Sequence, residues 1–447
     1  MMEPYEKAVF RMGFASCTGG KAIDNLTERH SDMRLNKYLP DKNMSRLLFL
    51  ACWLTYMSAY IGRNTFKASI AALTEIGVMT EPQAGFICSC YFICYAAGHL
   101  LNGILADRFD PILMIRTGLL GSSAANLLLG LTPNYTVMLV IWSLNGFLQS
   151  MMWSPIIFLL SGVVVEEKRK KYVLNMLSSS PTGTIIAYFL AGFTAAISWK
   201  ITFFTASAIL FAVFLVFSFV SSRARREMIP LPEPVHTEDK TDKEAAPAFL
   251  PLFISSGALL LLIPTVCHGM LKEGIMTWVP SLIKDTYGLS AGWSTVLTVI
   301  MPVCELFGAY FSSFLYQKFF RENEIVTGLF FMAVTALPTL VILNLAKTPL
   351  LVSIACLGLI AVFIIGYNYM FSTVVPVIFG KYRRAATFSG IFNCTIYVGA
   401  AISTYGFGKI VEKTGWFVTV AAWIGIAVVG SIVLALLIPR WNRFKNK

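Results

Sequence analysis

Gly103-Ile104-Leu105-Ala106-Asp107-Arg108-Phe109 is the stretch on which the reading of this chain turns. It puts an acid and a base between two long apolar runs, 82–105 and 111–131. The glycine permits close helix contact, and Asp107 and Arg108 can cap and pair across a short turn. A second copy, Ser313-Phe314-Leu315-Tyr316-Gln317-Lys318-Phe319, keeps the base and has lost the acid. The chain therefore reads as two related halves built from helical hairpins.

Composition supplies the solvent: of 447 residues, 56% are hydrophobic and 13% charged, which excludes an ordinary soluble domain. Apolar runs of membrane-spanning length lie at 46–73, 82–105, 111–131, 135–165, 172–197, 199–222, 251–283, 290–316, 325–344, 349–379, 386–411 and 415–439. A Pro-rich polar stretch, 223–247, divides them six and six. The expectation is an all-α membrane protein with twelve transmembrane helices in two pseudo-symmetric six-helix halves. Its parts are an N-terminal tail (1–45), a first half (46–222), a linker (223–247), a second half (248–440) and a C-terminal tail (441–447). The tail 1–45 has no apolar leader ahead of the first span and reads as retained.

Charge sets the orientation. With this topology 26 of the 36 Lys and Arg residues fall in the tails and even-numbered connections, and Arg46 and Arg116 lie within the first turns of spans on that same side. Both termini are therefore expected in the cytoplasm. The basic clusters at 168–171, 223–226 and 381–384 flank spans, so the net charge of +12 reports orientation and not nucleic-acid binding. The nine cysteines lack metal or redox spacing and read as small apolar packing residues.

Inside the spans, two cations stand out: Arg63 in the first and Lys272 in the seventh. A charge at a bilayer centre costs roughly 2.5 to 3.5 kcal/mol on insertion scales, so retained cations mark a functional site. In two-half transporter folds the ligand sits at the midplane between the halves, which assigns Arg63 and Lys272 to one anion site. Tyr56, Tyr60, Arg63 and Lys67 share one helical face, as do Tyr91, Tyr95, His99 and Asn102, and as do Thr265, His268 and Lys272. Hydroxyls with basic groups form the inventory for an oxyanion. Other readings stand beside this one. Lys67 can snorkel to the interface, Lys272 can pair with Glu273 or Glu305, and His99 and His268 can be hydrogen-bonded structural histidines. Glu305 is the carboxylate placed for proton coupling, and Tyr397 is a candidate lining residue.

The loop at 103–109, the linker and the six-plus-six pattern resemble the major facilitator superfamily. Within it the chain resembles the organophosphate:phosphate antiporters. Tyr60-Ile61-Gly62-Arg63-Asn64-Thr65-Phe66 is similar to that family's Tyr-x-x-Arg-Lys-x-Phe, and Lys272-Glu273-Gly274-Ile275-Met276-Thr277-Trp278-Val279-Pro280 to its Arg-Tyr-Gly-Ile-x-x-Trp-x-Pro. Gly146, Gln149, Trp153, Pro155 and the run Thr327–Met332 also match. The resemblance implies that Arg63 and Lys272 grip a phosphate, and that His99 and Ser180 stand where the family has a second-span lysine and near a fifth-span histidine. Lys272 for arginine loses the bidentate fork, and the loss of lysine at positions 64 and 99 reduces the fixed positive charge.

Three functions follow: organophosphate/phosphate exchange by alternating access, proton-coupled uptake of a carboxylate or sugar acid, and sensing of a sugar phosphate. The expected partners are a small anionic substrate (sugar phosphate, glycerol phosphate, phosphate or organic acid) and a lipid bilayer, in a monomer in a bacterial plasma membrane. No nucleophile–base pair, metal-ligand set or phosphate-cradling loop stands at credible spacing, so no enzyme activity, metal or cofactor is expected.

Overall fold

The computed structural model describes residues 37–39, 41–105, 109–164, 168, 171–172, 175–195, 197–230, 249–344, 348–382 and 384–445. The helices are α1 (Lys42–Glu75), α2 (Glu81–Leu105), α3 (Pro111–Leu131), α4 (Tyr135–Gly162), α5 (Ser179–Ala195), α6 (Trp199–Glu227), α7 (Phe249–Ser255), α8 (Ala258–Tyr287), α9 (Ala291–Thr298), α10 (Ile300–Lys318), α11 (Glu324–Ile342), α12 (Leu350–Tyr369), α13 (Val375–Ile378), α14 (Ala385–Thr414) and α15 (Trp416–Lys445). Nine stretches among the described residues are long and apolar enough to cross a bilayer. Two of them join consecutive helices, α9 with α10 and α12 with α13. The polar loop residues Asp107 and Arg108 lie outside the described residues, and Gly103 falls in the last turn of α2.

Several helices begin where the sequence offers side-chain acceptors. Asp110 takes the amide of Ile112 at 3.0 Å, with Pro111 in the first helical position where its missing N–H is harmless. Asn134 and Asn323 take the amides of Val137 and Val326, each at 3.1 Å. The eighth apolar run is broken at Val299, and Pro302 stands in the first turn of the helix that follows.

The chain divides into two compact units that cut across α1 and α2. The first holds residues 37–69 and 94–230. Its cluster of buried apolar residues includes Leu39, Leu48, Tyr56, Leu159, Met176 and Met228. Helices approach closely at small residues: a Cβ on Gly183 would strike the carbonyl of Met57, and one on Gly98 would strike the hydroxyl of Ser150. β1 (Lys37–Tyr38) pairs antiparallel with β2 (Ile229–Pro230), and the Leu39 amide donates to the Val163 carbonyl at 2.9 Å. This seats fully buried Leu39 in the apolar cluster.

The second unit holds residues 70–93 and 249–445. Here α8 and α14 touch backbone to backbone, with Gly269 under the Ile396 carbonyl and Gly399 under that of Val266. Trp278 Nε1 donates to the Thr404 carbonyl at 3.0 Å. Gly85, near the start of α2, lies against that same carbonyl, so the end of the first helical hairpin belongs to this unit.

Each unit carries an acid at the start of one helix, held by a base at the end of another. In the first, Arg225 Nη2 donates to Asp110 Oδ2. In the second, buried Glu324 accepts from Lys445 Nζ at 2.8 Å, Tyr316 Oη at 2.9 Å and Trp441 Nε1 at 3.2 Å. The degraded second copy of the loop pattern thus has its acid seven residues later, at the start of α11.

Candidate anion-binding residues

The α1 stripe delivers its cation to an aromatic setting. Arg63 is 3% exposed, and its guanidinium carbon lies 4.8 Å from the Tyr60 ring centre and 4.1 Å from that of Tyr95. Tyr60 sits on the previous turn of α1, and Tyr95 comes from α2. A cation over a ring face gains about 0.5 to 2 kcal/mol, more when desolvated. A guanidinium carries its N–H donors in its own plane, as a fork that matches a two-oxygen anion.

His99 follows Tyr95 by one turn and meets it edge-on, with ring centres 4.5 Å apart at 76°. Asn102, the last polar residue of that face, is fully buried and donates to Ser150 Oγ at 2.6 Å, which makes it a fastener between α2 and α4. Lys67, one turn beyond Arg63 on the same face, is 4% exposed. That burial removes the snorkelling reading.

Asn64, beside Arg63, donates to Thr184 Oγ1 at 2.8 Å, and Thr184 donates to the Ser180 carbonyl at 2.9 Å. Ser180 itself is half-buried in the first turn of α5. A neutral amide thus links α1 to α5 where the resemblance has a lysine. The Asn64–Thr184 link was invisible from the sequence, because nothing local pairs positions 120 residues apart.

In the other unit Lys272 is half-buried on α8, with its Nζ 3.6 Å from Glu273 Oε1. The sequence offered Glu273 and Glu305 as acidic neighbours, and the structure brings Glu273 to the ammonium. Glu305 is half-buried on α10. His268, one turn before Lys272, is fully packed: its Nε2 is 3.1 Å from Asn368 Oδ1, and its ring stacks on Tyr367 at 4.7 Å. Ser372 Oγ donates to the same Asn368 oxygen at 3.2 Å. An amide oxygen only accepts, so it is the Nε2–H tautomer of His268 that donates to it. Asn368 precedes a π-helical segment, Met370–Val374, of the kind that often marks functional positions. Hydropathy gives no signal for such a turn. Tyr397 on α14 is half-buried and stacks on Phe92 with ring centres 6.2 Å apart.

A separate cavity of about 400 Å³ is lined by Thr74, Glu81, Gln83, Lys284 and Glu412 among others, and contains none of the predicted site residues. Among the described residues no group of three or more His, Cys, Asp or Glu side chains is arranged to hold a metal ion.

The sequence pattern of the Major Facilitator Superfamily matches residues 52–404. The glycerol-3-phosphate transporter of Bacillus subtilis is 23% identical over 423 residues, covering 91% of this chain and 94% of that protein. The membrane sensor protein UhpC of Salmonella typhimurium is 22% identical, covering 89% of this chain and 91% of its own. Among solved structures, a bacterial homolog of the human lysosomal transporter Spinster superposes with a TM-score of 0.73 at 13% identity, over 89% of this chain and 97% of that one. A match over most of the chain, an apolar helical architecture and a shared fold lead to one conclusion: this integral membrane protein belongs to the Major Facilitator Superfamily.

Proposed function

We propose that the chain is a secondary active transporter that exchanges a small organophosphate for inorganic phosphate by alternating access. The observation that carries this reading is buried Arg63 with its guanidinium over the rings of Tyr60 and Tyr95, in a chain similar along most of its length to a glycerol-3-phosphate transporter. Such a setting pre-orients a guanidinium for a phosphate. In this reading Arg63 and Lys272 both contact the anion during the transport cycle, with Tyr60, His99, Lys67, His268, Ser180 and Tyr397 around it. The chain crosses a bacterial plasma membrane twelve times as a monomer. Its halves are 46–222 and 248–440, and the linker 223–247 and both tails are cytoplasmic. The loop at Gly103, Asp107 and Arg108 takes part in the conformational change.

The test is exchange in proteoliposomes. Vesicles loaded with radiolabelled phosphate should release it when glycerol 3-phosphate or a hexose phosphate is added outside. Release that ignores external organophosphate would contradict the reading.

Two observations favour further readings. Asn64 and His99 in place of lysines lower the fixed charge relative to the organophosphate pattern, and Lys272 in place of arginine loses the bidentate fork, which suits proton-coupled uptake of a monoanionic carboxylate or sugar acid with Glu305 as the coupling group. Uptake abolished by an uncoupler and indifferent to phosphate would establish that mode. Similarity to UhpC supports sensing through the N-terminal tail. Because Leu39 is built into the apolar cluster, deletion of residues 1–36 is the clean test: a transporter keeps its flux and a sensor loses its output.

A further inference from the structure

Lys272 and Glu273 are consecutive on α8, so their Cβ atoms project about 100° apart around the helix axis. Neighbours in sequence do not face each other on a helix. Their charged ends nevertheless approach to 3.6 Å, with the two side chains 21% and 10% exposed. Contact requires the flexible lysine stem to lean toward the carboxylate. The Thr277 hydroxyl, one turn on, donates to the main-chain carbonyl of Glu273 at 2.6 Å. A buried carboxylate is expensive unless it has a cation, and a buried cation is expensive unless it has an anion. The pair answers both needs within one unit.

We propose that Glu273 is a built-in competitor for the transported anion: its carboxylate occupies Lys272 between solutes, and an incoming phosphate group must displace it. The proposal rests on the anion-carrying reading above and adds a residue that sets affinity. An ammonium has three donors and no fixed geometry, so it exchanges one oxyanion for another without rebuilding the site. Competition weakens solute binding and speeds release, which favours turnover when release is slow.

The experiment is a phosphate titration of the full-length purified chain, read by thermal shift, together with exchange kinetics in proteoliposomes. Glu273→Gln removes the competing charge and keeps the shape. It should bind inorganic phosphate about tenfold more tightly than the wild type, with KM and kcat for exchange falling together. Glu273→Asp, with a retracted carboxylate, should lie between the two. A purely structural Glu273 would lower the melting temperature and the flux without tightening phosphate binding. Unchanged or weaker phosphate affinity in a folded Glu273→Gln chain overturns the proposal. Should that chain not fold, an Asp variant that binds no tighter than wild type overturns it. Failure of wild type and both variants to bind phosphate overturns the underlying anion reading instead.

Discussion

The guanidinium carbon of Arg63 lies 4.1 Å from the centre of the Tyr95 ring, although the two residues come from different helices. Tyr60, one turn before Arg63, supplies a second ring at 4.8 Å. The contact explains how a cation survives deep in an apolar helix: ring faces replace part of the lost hydration.

Substitutions at Tyr95 should separate the ring from its hydroxyl. Tyr95→Phe keeps the face and should hold phosphate affinity within about threefold, while Tyr95→Leu should weaken it about five- to thirtyfold, the equivalent of roughly 1 to 2 kcal/mol. Titration of purified protein with phosphate checks this, and equal losses in both variants would show that the ring face does not matter.

The Asn64–Thr184 bond should behave as a buried interhelical fastener. Asn64→Ala and Thr184→Ala should each destabilise the protein by about 1 to 2 kcal/mol, with a coupling of about 1 kcal/mol in the double variant. Unfolding measurements in detergent on all four chains give the cycle. Strictly additive losses would mean that the 2.8 Å contact contributes nothing.

What was legible in the sequence was periodic. Apolar runs located the helices, and the 3.6-residue repeat put Tyr60 and Arg63 on one face and Tyr95 and His99 on another. What was not legible depends on which faces meet. The Asn64–Thr184 and His268–Asn368 bonds join positions 120 and 100 apart in the chain, and neither partner has a local reason to be polar. The π-helical turn at Met370–Val374 leaves the apolar pattern of its run unbroken. Glu324 lies just outside the apolar run 325–344, and only its three donors, two of them near the end of α15, reveal it as a buried anchor. Lys67 shows the same limit in reverse: position along a helix suggested an interface, and packing decided otherwise.

Gly269 holds α8 against α14, and a Cβ there would meet the Ile396 carbonyl, which cannot turn aside as a side chain can. Gly269→Ala should lower stability by about 1 to 3 kcal/mol through overpacking. Gly425→Ala is the control, because a Cβ at 425 meets nothing within 4 Å; it should be neutral or stabilise by about 0.5 to 1 kcal/mol. Melting temperatures of the two variants should therefore move in opposite directions or differ by several degrees.

The Glu324 anchor should be tight and insensitive to salt. Glu324→Ala leaves Lys445, Tyr316 and the Trp441 indole without their shared acceptor, for an expected loss of about 2 to 4 kcal/mol. Lys445 is partly exposed, so Lys445→Ala should lose less. Thermal melts at low and high ionic strength check both, and a loss that disappears in high salt would mark the site as an ordinary surface pair.

The most direct test of the account is phosphate exchange by Arg63→Ala in proteoliposomes, with wild type and the conservative Arg63→Lys alongside and melting temperatures recorded for all three. The account predicts a folded Arg63→Ala protein whose exchange falls at least about a hundredfold, with Arg63→Lys recovering only part, since an ammonium keeps the charge and loses the fork. Exchange by folded Arg63→Ala at the wild-type rate and KM would contradict it.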